Sequence, residues 1–158
     1  MASRLVSECT PALQKKIKAF TIAMFSKGLP FVITCTSRTV KEQVALYAQG
    51  REDLFTVNAL RYIAGLPPIT ETQNIKVTWT LKSKHLIDLD DDNPANDKSR
   101  AFDIAITCNG RPTWDIKVDA NRDSIPDYVQ AGEIGESVGL RWGGRFKNPD
   151  RPHFEDIE

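Results

Sequence analysis

Charge of one sign is missing from this chain: 21 Lys and Arg balance 21 Asp and Glu over 158 residues. No global positive field therefore argues for a nucleic-acid or anionic-membrane partner. Cysteine is scarce. Cys9, Cys35 and Cys108 are odd in number and widely spaced, which excludes a CxxC metal knuckle and a complete disulfide framework and leaves reduced, partly buried thiols. Long apolar runs are missing too, since none approaches the roughly 20 residues a membrane span needs. The opening MASRLVSECTPALQKK lacks the apolar core of a signal peptide. These absences predict a chain made and held in the cytosol, with no membrane insertion. No repeat, linker or change of composition divides it, so residues 1–158 read as one domain, expected to act as a monomer. At this length folding buries roughly 68–70% of the unfolded surface, enough for a core without staples.

What is present is a sequence of short, punctuated elements. Thr10-Pro11 opens a helix with Leu13, Ile17, Phe20 and Met24 on one stripe, and Gly28 stops it. Residues 30–36 (PFVITCT) predict a buried strand. Thr39-x-x-Glu42 supplies a capping box for a second helix with Val40, Val44 and Tyr47 on one face, ending at Gly50. A short helix is expected around Val57–Ala64, then strands at Ile75–Leu81 and Ala101–Thr107, with the polar DLDDDNPANDKS between them as a surface loop. Ser124 and Pro126 open a last helix carrying Tyr128, Ala131, Ile134 and Val138, before a Gly-, Trp- and Pro-rich tail. Helices at both ends with strands between them predict an α+β fold.

Histidine is scarcer still than cysteine, and each of the two sits in an unusual setting: His85 in SKH and His153 in DRPHFE. Asp103 lies inside the apolar strand AFDIAI, where a carboxylate is costly unless exposed, paired or metal-bound. Two imidazoles and one carboxylate make a three-ligand set that leaves zinc one open position, as hydrolytic sites require. A strand acid that faces solvent is the plainer reading of the same residue.

The order SKH, SRAFD, WGG and DxPHFE resembles the LAS metallopeptidases, which include D-Ala-D-Ala carboxypeptidases and phage L-alanyl-D-glutamate endopeptidases, and it is nearest the phage endolysin branch. The family's SxHxxGxAxD motif maps onto Ser83, His85, Ala101 and Asp103, and its second motif onto Asp150 and His153, with Trp142-Gly143-Gly144 upstream. SRTVKEQVALYAQGR resembles the family's arginine-bearing strand-to-helix region. The resemblance implies a small, mainly antiparallel sheet with flanking helices, the hedgehog/D-Ala-D-Ala peptidase-like fold. It implies one zinc per chain held by His85, Asp103 and His153, Asp150 as general base, and Arg38 as oxyanion or carboxylate partner. Ser83, Gln43 and Trp142 are expected beside the substrate, which would be bacterial peptidoglycan. Two departures stand out. Asp103 follows His85 by eighteen residues, far more than the motif allows, so an acidic segment must loop out. Ser99 replaces the motif's Gly, which questions the backbone conformation just before the second ligand.

The implied activity is cleavage between L-Ala and D-Glu by an endolysin that stays in the host cytoplasm until another protein opens the membrane. The rivals are a D,D- or L,D-carboxypeptidase, a wall-binding module without turnover, and a phage structural protein with a stabilising metal. Without the resemblance, Asp150 reads as a turn former, and Glu155 is the next carboxylate to consider as base. Two calcium-like alternations occur. Asp88, Asp90 and Asp92 precede Asn93 and Ser99 where the turn Gly and closing Glu belong; Asp119, Asn121 and Asp123 precede Ser124 and Gln130 in the same two places. Both read as solvated loops.

Overall fold

The computed structural model describes residues 2–157, so the first and last residues of the expected domain lie outside it. Helix α1 (Pro11–Ser26) begins where Thr10 Oγ1 accepts from Leu13 N–H at 3.2 Å with Pro11 in the first turn, and the Leu13, Ile17, Phe20 and Met24 stripe is buried. Strand β1 (Phe31–Cys35) and the two-residue β2 (Arg38–Thr39) lead into α2 (Val40–Ala48) through the expected capping box of Thr39 and Glu42. Next come α3 (Leu54–Ile63), capped by Asp53, the short β3 (Leu86–Ile87), β4 (Ala101–Cys108) and β5 (Arg111–Thr113). Helix α4 (Asp127–Ser137), β6 (Leu140–Trp142) and β7 (His153–Asp156) complete the order.

The main sheet runs β1-β4-β7-β6 with β5 also on β4, every pair antiparallel, and β2 pairs β3 in a separate parallel ladder. Alternation along β4 sends Phe102, Ile104 and Ile106 into a core with α1 and α4, where Phe20, Tyr128, Trp142 and Phe154 join them. Asp103 falls on the opposite face, with Cys35 beside it on β1 and His153 beside it on β7. The result is one small α+β domain. Among the described residues no helix is long and apolar enough to cross a membrane.

Two expectations change. Residues 75–81 form no strand; the segment is irregular, with bends at Ile75, Trp79 and Leu81, has no ladder partner and exposes Ile75, Val77, Trp79 and Leu81. In α2 the apolar Val40 and Val44 are exposed, while Glu42, Gln43, Ala45 and Ala48 face inward. The inward face carries polar groups because it supports the site rather than the apolar core.

Candidate metal centre and active-site cleft

Three chain segments deliver three side chains to one point. Asp103 and His153 are directly opposed on β4 and β7, and His85 precedes β3, whose pairing with β2 places Arg38 beside it through Arg38 N–H to the His85 carbonyl at 2.9 Å. His85 Nε2 lies 3.1 Å from Asp103 Oδ1 and 3.2 Å from His153 Nδ1, and His153 Nδ1 lies 3.0 Å from Asp103 Oδ1. This near-equilateral triangle matches one face of a tetrahedron around an ion with bonds of about 2.0–2.1 Å, whose edges would be roughly 3.3 Å.

The outward nitrogens fix the tautomers. His85 Nδ1 lies 2.9 Å from the Thr36 carbonyl, which can only accept, so Nδ1 carries the proton and Nε2 presents its lone pair. His153 Nε2 lies 3.0 Å from Glu155 Oε2, which leaves Nδ1 as the donor atom. Arg141 grips the other Glu155 oxygen at 3.2 Å. Metal-binding histidines are commonly held in this way by a carbonyl or a carboxylate, so the donor set fits a zinc-like ion. Among the described residues, Cys35, His85 and Asp103 also bring ligand atoms within 4.8 Å of one another. Cys35 Sγ, however, lies 3.6 Å from His85 Nδ1, the nitrogen already committed to Thr36. The His-Asp-His set needs no such bond broken.

Electrostatics follow from this crowding. Burial works against a charged His85, but the Asp103 carboxylate outweighs it and pushes the imidazole up to about 10. Asp103 is itself desolvated, yet the two imidazoles hold it well below the usual carboxylate range. His153 is raised, with burial again opposed by Asp103 and Glu155. Without a metal the cluster holds protons that an ion would displace.

Around the triangle lies a cleft of about 640 Å³ lined by Arg38, Ser83, His85, Asp103, Asp150 and His153, with residues 77–80 on one wall. Asp150 is exposed as a residue, yet desolvation of its carboxyl by the cleft, followed by the Asp103 charge, raises its pKa. Gly143 lets the turn that carries Asp150 and His153 pack closely: a Cβ there would lie 2.4 Å from the Asp150 carbonyl oxygen and 2.9 Å from His153 Cβ. Arg38 Nη2 reaches Asp103 Oδ2 and Nη1 reaches Gln43 Oε1, both at 3.4 Å. Ser83 lines the cleft, and its Oγ accepts from His85 N–H at 3.2 Å.

Gln43 and Trp142, expected beside the substrate, are buried. Gln43 holds Arg38 and donates to the Thr80 carbonyl at 2.8 Å. The Trp142 indole packs against Gly132 and Gly144 and donates to the Arg151 carbonyl at 2.9 Å, anchoring the segment that carries His153. Ser99 has no positive φ; its buried hydroxyl donates to the same Thr36 carbonyl that His85 uses. Glu155 as the partner of His153 was not foreseen, although their spacing of two in a strand puts them on one face. The Thr36 carbonyl has no sequence signal.

Comparisons with known proteins bear on the family and the fold. A family model described as D-alanyl-D-alanine carboxypeptidase matches residues 97–156. The chain is 30% identical over 152 residues to the peptidoglycan L-alanyl-D-glutamate endopeptidase CwlK of Bacillus subtilis (strain 168), covering 96% of this chain and 75% of that protein. The crystal structure of the Serratia marcescens L-Ala D-Glu endopeptidase ChiX shares the fold, with a TM-score of 0.56 at 16% identity over 99% of this chain and 89% of that one.

Proposed function

The chain belongs to the M15 family of LAS-type peptidases, and from that premise we propose that it is a zinc-dependent endopeptidase cutting the L-Ala–D-Glu bond of peptidoglycan stem peptides. The observation that carries this reading is the convergence of His85 Nε2, Asp103 Oδ1 and His153 Nδ1 within 3.0–3.2 Å at a cleft that Asp150 and Arg38 also line. Those three atoms would hold the ion. When bound, zinc supplies a Lewis acid for the scissile carbonyl and makes water a competent nucleophile near neutral pH.

The remaining steps belong to the protein's own side chains. Asp150 takes a proton from the attacking water, and its raised pKa makes it a stronger base than an ordinary carboxylate. Once protonated, it returns that proton to the leaving amine nitrogen. Arg38 is held by Asp103 and Gln43 and has further N–H groups to stabilise the oxyanion. Lys82, Lys84 and Arg141 also line the cleft, which suits a substrate rich in carboxylates. The endolysin role rests on the resemblance of the SKH and DxPHFE motifs to the phage branch, and it implies cytoplasmic storage until a membrane lesion opens the way to the wall.

Purified peptidoglycan digested by the zinc-loaded protein, with new termini identified by mass spectrometry, tests the reading. New L-Ala carboxyl and D-Glu amino termini are expected. Released D-Ala would instead make it a carboxypeptidase, and binding without new termini would make it a wall-binding module. Asp150→Asn keeps the size of the side chain but cannot accept the proton, so turnover should fall roughly 10²–10⁴-fold at unchanged zinc content. Near-equal rates would remove Asp150 from the mechanism.

A further inference from the structure

The loop between β5 and α4 carries a second constellation that the peptidase chemistry does not use. Asp119, Asn121 and Asp123 alternate as in a calcium loop, with Ser124 in the place of the turn glycine and Gln130 in that of the closing glutamate. Ser124 nonetheless adopts φ +70°, the left-handed conformation that glycine would supply there. Asp119 accepts from Asp123 N–H at 3.0 Å and Ser124 N–H at 2.9 Å, and Asp123 accepts from Ile125 N–H at 2.9 Å. These bonds hold the loop in a wound conformation, with Asp119 and Asn121 half-buried and Asp123 exposed at its rim.

An independent observation comes from Asp127, eight residues after Asp119 and fully buried. One of its carboxylate oxygens accepts from Ala120 N–H at 2.7 Å; the other is buried with no hydrogen-bond partner. A buried carboxylate oxygen left without a donor is costly. Burial raises this carboxyl's pKa, and the charges of Asp119 and Asp123 add to the effect. A hard dication relieves both the missing partner and the repulsion.

We propose that Asp119, Asn121, Asp123, Asp127 and the Ile125 carbonyl form a Ca²⁺ site, separate from the peptidase metal centre. None of these residues lines the catalytic cleft. Among the described residues, no three of the loop's acidic oxygens lie within 4.8 Å of one another, so the ion draws the loop together as it binds. The site joins two helices, since Asn121 Nδ2 donates at 3.2 Å to the Lys27 carbonyl at the end of α1 and Asp127 opens α4. Its contribution is therefore to stability. Gln130 in place of a bidentate glutamate places the affinity in the weak class of extracellular modules, with Kd of roughly 10⁻⁴–10⁻³ M. Beside the exposed Asp90–Asp92 run the buried oxygen without a partner is the neutral Asn96 amide oxygen, not a carboxylate, so no buried charge there calls for a cation.

Calorimetric titration of the zinc-loaded full chain with CaCl₂, alongside thermal unfolding, tests the site. Binding in that range is expected, with Tm rising roughly 2–5 °C at tenfold excess over Kd and a far smaller response to MgCl₂. Asp123→Ala should abolish both signals, and Gln130→Glu should tighten binding at least about tenfold while leaving peptide hydrolysis unchanged. Wild type showing neither heat nor a Tm shift at saturating CaCl₂ would overturn the site, whatever the variants do. An equal shift in Asp123→Ala, or unchanged affinity in Gln130→Glu, would also overturn it; the latter decides the matter if Asp123→Ala fails to fold.

Discussion

His153 and Glu155 are two residues apart on β7, so strand alternation puts both side chains on the face that Asp103 occupies. Glu155 accepts the Nε2 proton of His153 and is itself held by Arg141, which fixes the ring with Nδ1 turned to the metal centre. Glu155→Ala should therefore weaken zinc binding roughly 10–100-fold in a chelator competition. Glu155→Gln keeps an acceptor and should lose less, whereas Cys35→Ser should match wild type. Unchanged affinity in Glu155→Ala would reduce that carboxylate to packing. The sequence held part of this site in view, because two histidines in the whole chain and an acid inside AFDIAI are conspicuous by type. The roles of Gln43 and Trp142 were not legible: a motif reports that a residue is near the site, not whether it faces the cleft or props up what does.

The segment between His85 and Asp103 shows how an element can vary without disturbing the ligands at its ends. Arg100 N–H bonds the Lys84 carbonyl at 2.8 Å, closing the base of the loop next to both ligands, and β3 is held by β2 on one side. Ser99 adds its hydroxyl to Thr36. Residues 90–95 are exposed, and lengthening a flexible loop costs only about 0.6 kcal/mol per doubling. Removing Asp90–Asp97 should leave zinc content intact and shift Tm by no more than a few degrees; loss of zinc from a folded deletion variant would place the loop in the site. Elements were legible where pattern and burial coincide, as in α1, whose apolar stripe is the core face. Pattern misleads where it lacks a partner: 75–81 has a strand's composition, but no neighbouring strand offers it a ladder.

For the whole molecule, the metal centre ties stability to pH in two opposite ways. In the metal-free protein His85 is raised from 6.5 to about 10, so its contribution is complete below 6.5 and is lost as pH rises through about 10. Asp103 is depressed below 3.8, so its contribution is present above that value and is lost as pH falls beneath it. Metal-free protein should thus be most stable between about pH 4 and 6.5 and weaken on the alkaline side. With zinc in fixed excess the ligands must be deprotonated, so stability should instead rise up to about pH 6.5 and then level off. Parallel Tm-versus-pH curves for the two forms would refute this coupling. The opposition of Asp103 and His153 on β4 and β7 carries one more consequence, for the lifetime of the molecule. An ion shared by those residues is also a rivet across two central strands, so its departure should speed opening of the sheet and expose backbone to proteases. Scavenging zinc would then shorten the protein's persistence as well as stop its hydrolysis.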